Sequence, residues 1–328
     1  MLEALILLPL AFSIYAYVAY PVLLVIAAAC HRTSHRVADF DWPPITVTIP
    51  CHNAARYIAG ALDTLLLLDY PSDRRHILVI SDASTDATDA IVRGFAGRGV
   101  ELVRLDRRVG KTVAENVAGG MARGDIVVNM DSTTRAAPRS LKALVLAFAD
   151  PTVGVASGRD VSVASFSDDG TDNTIIESWY VDYEMFVRQL ETHVASIVGA
   201  SGCFYATRRS LYDTALSAPL SRDFGAVLHA REQGFRSVSV MEALCFVPRT
   251  ISLKSELRRK SRTMAGGLLT LWYARHLLNP FKHGVFAWML FSHKLCRWLV
   301  YCSLPLAATA LMIASTNNGT WRPYFLLA

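Results

Sequence analysis

Ile126-Val127-Val128-Asn129-Met130-Asp131-Ser132-Thr133-Thr134 is an apolar run that ends in a carboxylate and a cluster of hydroxyls. Its length suits a buried strand, and Pro138 a few residues on marks a turn. Asp131 then falls at the carboxyl end of that strand, where open α/β sheets bind their ligands. A second run, Ile77-Leu78-Val79-Ile80, finishes the same way in Ser81-Asp82-Ala83-Ser84-Thr85-Asp86. Gly110-Lys111 lies between the two, and Asp223 follows later in Ser221-Arg222-Asp223-Phe224. Carboxylates at two strand ends with a lysine between them suit a nucleotide whose phosphates are met by a metal ion.

The flanking sequence supplies the rest of the sheet. Ile45-Thr46-Val47-Thr48-Ile49 is rich in β-branched residues and reads as a first strand, which stops at Pro50-Cys51-His52-Asn53. Apolar spacing predicts helices over 54–68 and 111–122, with another starting at Thr85, and a strand over 100–105. Alternating strand and helix predicts a mostly parallel sheet. Beyond Asp131 the expected elements are a helix over 140–148, a short strand over 153–157, and a Ser-, Asp- and Gly-rich loop over 165–173. An aromatic-bearing helix over 175–193 comes next, then Gly199-Ala200-Ser201-Gly202 ahead of a strand. A helix from Asp223 to Gln233, a strand over 236–240 and a basic helix over 254–271 complete this region.

Composition places this sheet beside a membrane. Of 328 residues, 52% are hydrophobic and only 19% charged, and the apolar excess lies at the two ends. Residues 2–30 carry a single charge, Glu3, and are long enough to cross a bilayer. A cleaved signal peptide has a basic start and a shorter apolar core. Here the basic residues, Arg32 and Arg36, come afterwards, which predicts a retained anchor with residue 31 onward in the cytoplasm. Near the other end, an in-plane amphipathic segment leading into one crossing helix is expected, the alternative being a single long tilted helix. The net charge of +5 suits anionic lipid or a phosphorylated substrate. No nucleic-acid module is recognisable, so nucleic acid is not an expected partner. The six cysteines are dispersed without a Cys-x-x-Cys pair and read as free thiols.

Taken in order, Ile49-Pro50-Cys51-His52-Asn53, Tyr70-Pro71, Ser81-Asp82-Ala83-Ser84-Thr85-Asp86, Gly110-Lys111 with Asn116, Arg123-Gly124-Asp125 and Asp131 resemble the family-2 inverting glycosyltransferases. The match covers roughly residues 45–265. Membrane-embedded members of that family include cellulose, chitin, hyaluronan and poly-N-acetylglucosamine synthases. The resemblance implies an α/β GT-A fold, a Rossmann-like domain flanked here by transmembrane helices. It also implies a nucleotide-sugar donor, most naturally a UDP-sugar. Pro50, His52 and Asn53 match the first-strand motif beside the nucleotide. Asp82 matches the acid on the nucleoside side and Lys111 the family's Gly-Lys. Asp131 matches the first acid of the Asp-x-Asp motif that holds Mg2+ or Mn2+, and Asp223 the catalytic base. Arg258, Arg259 and Arg262 stand where polymer-forming members carry an interfacial motif, and are assigned to acceptor or diphosphate.

This chain departs from the pattern in three places. Position 133 is Thr in place of the second metal acid, and Arg222 replaces the acid before the base. Arg258-Arg259-Lys260-Ser261-Arg262-Thr263-Met264 replaces the Gln-x-x-Arg-Trp motif.

The expected domain plan is a transmembrane helix over 1–30, a linker over 31–44, the GT-A domain over 45–265, an interfacial amphipathic segment over 266–297, a transmembrane helix over 298–315 and a tail over 316–328. The expected partners are the donor, a lipid-linked or glycan acceptor and membrane lipids, with room for a homo-oligomer or an additional membrane subunit. The expected location is the bacterial inner membrane or plasma membrane, with the catalytic domain cytoplasmic. The Gly199–Gly202 turn and the Trp179-Tyr180 helix are expected to stack on a sugar ring. Plainer roles compete: Asp82 as a turn residue, Asp86 and Asp223 as helix caps, Lys111 as a solvated lysine, and the arginine cluster as a lipid-facing stripe. A catalytically degenerate partner subunit and a nucleotidyltransferase-like enzyme are the rival functional readings.

Overall fold

The computed structural model describes residues 2–30, 40–164, 166, 179–248 and 253–317. The expected loop over 165–173 lies outside them apart from Phe166, as do the side chains of Trp179 and Tyr180.

Helices α1 (Leu2–Ile14) and α2 (Tyr20–Ala29) join through a π-helical turn at Tyr15–Ala19. The α/β part follows as β1 (Ile45–Cys51), α3 (Ile58–Leu66), β2 (Arg75–Ser81), α4 (Thr88–Arg93), β3 (Val100–Arg104), α5 (Lys111–Met121) and β4 (Ile126–Met130). Then come β5 (Arg135–Ala136), α6 (Ser140–Leu146), β6 (Val153–Val163), α7 (Trp179–Val194), β7 (Phe204–Arg208), α8 (Arg222–Glu232), β8 (Arg236–Pro248) and α9 (Leu253–Tyr273). The chain ends in α10 (Pro280–His283), α11 (Val285–Leu290), a π-helical turn at Phe291–Leu295 and α12 (Cys296–Asn317).

The strands form one eight-stranded sheet in the order β3-β2-β1-β4-β7-β6-β8-β5. Pairing is parallel from β3 to β4. Strand β7 enters antiparallel to both β4 and β6, while β6 and β8 run parallel. The sheet is therefore mixed, with its parallel half carrying the strand ends singled out above. Sequence alternation holds only up to β4, and β7 reaches its place by a long return that local pattern does not encode. Strands β6 and β8 also run well past the expected 153–157 and 236–240. Their extensions pair with each other from Arg159↔Leu244 to Val163↔Pro248, so each strand exists because of its partner.

Both faces of β1 are buried, as a central parallel strand requires. Ile45, Val47 and Ile49 pack with α3 residues Ile58, Leu62 and Leu65 in the main core. Leu78 and Ile80 of β2 meet Ala114 and Ala118 of α5 on the other face. Arg123-Gly124-Asp125 closes the turn into β4. Arg123 N donates to Thr46 Oγ1 at 3.0 Å and Asp125 N to the Pro44 carbonyl at 2.9 Å.

A separate apolar cluster joins the terminal helices to this domain. It brings together Tyr20 and Leu24 of α2, Val187 of α7, Phe224 and Leu228 of α8, Leu271 of α9, and Phe286, Met289 and Leu290 of α11. Two stretches, Leu7–Ala29 and Val285–Ile313, are long and apolar enough to cross a membrane. Helix is continuous from Val285 to Asn317, so the apolar stretch begins well before residue 298. Leu8, Ile14, Val22 and Ile26 on one stretch and Leu304, Leu306 and Met312 on the other are exposed. None of the six cysteines is bridged in a disulfide.

Candidate active site

The ends of β1 and β2 are laced together. Asp82 N donates to the Cys51 carbonyl at 2.8 Å, and His52 Nδ1 donates to the Asp82 carbonyl at 2.7 Å. Asn53 has φ 51° and Ala83 φ 53°, both in the left-handed region that non-glycine residues rarely occupy. Asn53 N donates to Ser84 Oγ at 3.1 Å, and Asn53 Oδ1 accepts from Thr85 N at 2.8 Å. Pro50 faces no loss from its missing N–H, because β1 pairs with β4 only as far as Thr48↔Asn129.

Asp82 is 5% exposed, and its two oxygens accept from Val109 N at 2.7 Å and Gly110 N at 2.8 Å. It therefore anchors the turn that starts α5 and sets Lys111 in place. Asp86 ties the loop before α4, whose N-cap is Ala87: its oxygens accept from Thr88 N at 3.0 Å, Thr88 Oγ1 at 2.5 Å and Ala55 N at 3.1 Å. The Thr88 hydroxyl, with the backbone bonds, holds its carboxyl below the usual carboxylate range.

A cleft of about 830 Å3 opens beside this turn. Lys111, Asp131, Thr133, Gly202 and Asp223 line it, with Arg259 and Arg262 of α9 on the opposite wall. Asp131 N donates to the Cys203 carbonyl at 3.0 Å, which ties the end of β4 to the turn before β7. Lys111 Nζ lies 2.5 Å from Asp131 Oδ1 and donates to the Gly202 carbonyl at 2.8 Å. At the same glycine, a Cβ would sit 3.2 Å from Asp223 Oδ2. Asp131 and Asp223, 92 residues apart in sequence, thus line one cleft at Gly202. Asp223 is in the first turn of α8, and its Oδ1 accepts from Ser221 Oγ at 2.6 Å. It does not serve as the cap of α8.

Beneath the cleft lies a row of charges that the sequence reading passed over. Glu115 is buried one turn along α5, 3.8 Å from Lys111 Nζ and 3.8 Å from Arg222 Nε. Tyr205 donates its hydroxyl to Glu115 Oε2 at 3.0 Å. Arg222 is 4% exposed, donates to Asn116 Oδ1 at 2.7 Å and stacks over the Tyr212 ring at 4.2 Å. Burial raises the Glu115 carboxyl above its ordinary range, against the pull of Lys111 and Arg222. Burial works to lower Lys111, yet the Asp131 and Glu115 carboxylates outweigh it and raise the ammonium above the lysine range. Lys111 is thus an ion-paired lysine on the exposed rim of the cleft. Its four-residue spacing to Glu115 was a signal available in the sequence.

Asp160 and Arg188 also line the cleft, and no local pattern pointed to either. Among the described residues, Arg258 is exposed and does not line the cleft. Arg259 does, paired with Glu256 at 2.5 Å. The cleft does not reach His52, Asn53 or Asp82, which border it only through the 109–111 turn.

A divalent ion wants several oxygen donors, carboxylates foremost. Asp131 Oδ1 already holds the Lys111 ammonium, and Thr133 offers a neutral hydroxyl. No group of three or more His, Cys, Asp or Glu side chains fit to hold a metal occurs among the described residues. The donor set does not fit a tightly held divalent ion.

The chain is 29% identical over 250 residues to an N-acetylglucosaminyltransferase of Rhizobium sp., covering 70% of this chain and 55% of that protein. An N-acetylglucosaminyltransferase of Mesorhizobium japonicum is 29% identical over 256 residues, 72% of this chain and 59% of that one. The chain thus spans little more than half the length of these relatives. Among solved structures, the mannosyltransferase PcManGT from Pyrobaculum calidifontis, in complex with GDP-Man and Mn2+, superposes with a TM-score of 0.73. It is 24% identical and covers 97% of this chain and 88% of that one. Staphylococcus aureus TarS in complex with UDP-GlcNAc gives a TM-score of 0.57 at 18% identity, covering 81% and 79%. These likenesses carry the fold. The description of Glycosyl transferase family 2 matches residues 46–215, more than half of the sequence and the β4 end that carries Asp131, and the chain belongs to that family.

Proposed function

We propose that this chain is a membrane-held glycosyltransferase that moves a sugar from a nucleotide sugar to an acceptor with inversion at the anomeric carbon. The observation that carries the reading is that Asp131 and Asp223 line one cleft, Asp131 reaching Gly202 through Lys111 and Asp223 lying against the same glycine. Direct displacement needs a leaving group on one side of the sugar and a base on the other. The Asp131–Lys111 side takes the diphosphate, and Asp223 takes the proton of the acceptor hydroxyl. The turn held by Asp82, with His52 and Asn53 beside it, takes the nucleoside. Uridine is the first choice, since the matched relatives are named N-acetylglucosaminyltransferases.

The acceptor enters between α7 and α9, whose inner faces pack on the two apolar stretches. That path suits a lipid-linked or polysaccharide acceptor. Arg259 and Arg262 of α9 line its wall, with Arg262 open to an anionic group on the acceptor. The two stretches span the inner or plasma membrane with the GT-A domain, residues 45–265, in the cytoplasm, as Arg32 and Arg36 after the first stretch favour.

The test is a screen of radiolabelled nucleotide sugars against native membranes, with the product sized afterwards. Transfer of label by the wild type, lost in Asp223→Asn while UDP still binds, is the expected result. UDP binding without transfer by the wild type would favour the degenerate-subunit reading instead. Release of pyrophosphate from a nucleoside triphosphate would favour the nucleotidyltransferase one.

A further inference from the structure

The diphosphate side of the cleft contains its own cation. Lys111 Nζ sits on Asp131 Oδ1 and the Gly202 carbonyl, the oxygens a metal ion would seek. An ammonium carries three protons. Asp131 and Gly202 engage two, which leaves one for a phosphate oxygen in the cleft. Glu115 lies below at 3.8 Å, and its Oε1 is buried without a hydrogen-bond donor. Beyond it stands Arg222, so Asp131, Lys111, Glu115 and Arg222 form a row of alternating charge.

Both departures of this chain from the family's acidic pattern lie at this row. Thr133 removes an acid beside Asp131, and Arg222 reverses the charge of another. A site that has lost two acids and gained a buried guanidinium is more positive than the pattern it departs from. A divalent ion added to that site would meet stronger repulsion and one carboxylate fewer.

We propose that Lys111, in place of a divalent ion, neutralises the diphosphate in this chain, so that donor binding and transfer proceed without added metal. The inference rests on the reading that the cleft takes a nucleoside-diphosphate sugar. As the acceptor oxygen bonds to the anomeric carbon, the bond from that carbon to the β-phosphate oxygen breaks. Its electron pair leaves with the diphosphate, and the acceptor's proton passes to Asp223. The departing diphosphate gains one negative charge, and the Lys111 proton facing it stabilises that charge. Asp131 and Glu115 are positioning residues that keep the ammonium charged and aimed.

The test uses the full chain in detergent, titrated with UDP and then GDP by calorimetry, in EDTA and again with Mn2+. The expected result is binding in EDTA that Mn2+ does not tighten. Lys111→Met should lose about tenfold or more in EDTA, with Lys111→Arg in between. Thr133→Asp restores the missing acid, and its binding should tighten on adding Mn2+. That variant should also quench the paramagnetic signal of free Mn2+, which the wild type leaves unchanged. Wild-type binding that appears only with Mn2+ overturns the inference and leaves the transferase reading standing. So does Lys111→Met binding in EDTA as tightly as wild type. Failure of both nucleotides in both buffers sinks the nucleotide-sugar reading, and this inference with it.

Discussion

Arg222 and Asp223 are neighbours in sequence, but their side chains point to different places. Both line the cleft at the first turn of α8, but the Arg222 side chain is buried against Glu115, Asn116 and Tyr212 while Asp223 lies against Gly202. Replacing Asp223 by Asn removes a proton acceptor and little else, so transfer should fall by about a hundredfold or more while UDP affinity holds. Single-turnover transfer beside calorimetry reads both quantities. Replacing Arg222 by Ala leaves Glu115 buried beside a lone ammonium. With Lys111 and Tyr205 still on that carboxylate, the cost should be about 1–3 kcal/mol, read as a lower unfolding midpoint in detergent. The sequence offered Asp223 as one more carboxylate downstream of the strand ends, and the resemblance gave it the role of base. Burial of Arg222 is a tertiary fact, since nothing in Ser-Arg-Asp-Phe says which side chain turns inward.

The strands that build the cleft depend on close backbone approach at one glycine. A Cβ on Gly124 would lie 2.4 Å from the Pro44 carbonyl oxygen and 2.5 Å from the Ile45 Cα. These are backbone atoms of one Pro44–Ile45 stretch, which cannot give way as a side chain does. Gly124→Ala should push the start of β4 from β1 and destabilise the protein by about 1–3 kcal/mol. Since β4 carries Asp131, nucleotide affinity should fall with the unfolding midpoint. A midpoint equal to wild type in differential scanning fluorimetry would refute this. Strands β1 to β4 and helices α3 to α5 were legible because each has its own apolar period and turn residues. The ends of α3 and α4 were less so. The loop hydrogen bonds of Asn53, Ser84 and Asp86 take up residues that capping preference alone would place in helix.

Across the molecule, a buried polar knot fastens the apolar stretches to the catalytic domain. His293 of the C-terminal helix lies between Glu191 Oε1 at 2.6 Å and Glu184 Oε2 at 3.1 Å, both on α7. Tyr20 of α2 donates to Glu191 at 2.6 Å, and Arg297 pairs with Glu184. Burial pushes both glutamates up, but His293 and its hydrogen bonds outweigh it and hold both carboxyls below their ordinary range. A carboxyl depressed in the folded state adds stability that is present above its unfolded value, about 4.3. That stability is lost as pH falls below it toward the folded value. Acidification from pH 6 to pH 3 should therefore loosen α7 from the apolar stretches, seen as faster proteolysis of the full chain in detergent. Glu191→Gln should flatten that pH dependence, and an unchanged profile would sink the argument. The two apolar stretches were plain from length and composition. Their junction with α7 was not, because it pairs side chains more than a hundred positions apart.

Sequence alone determined the α/β class, the family pattern at the strand ends and the two apolar stretches, because each rests on neighbours within a few residues. It also named Asp131, Asp223 and Lys111 as candidates. Only the tertiary structure decided that the two acids line one cleft at Gly202, that Lys111 already sits on Asp131, and that Glu115 and Arg222 complete the row beneath. Those arrangements depend on β7 returning beside β4, a long-range pairing that no local period encodes.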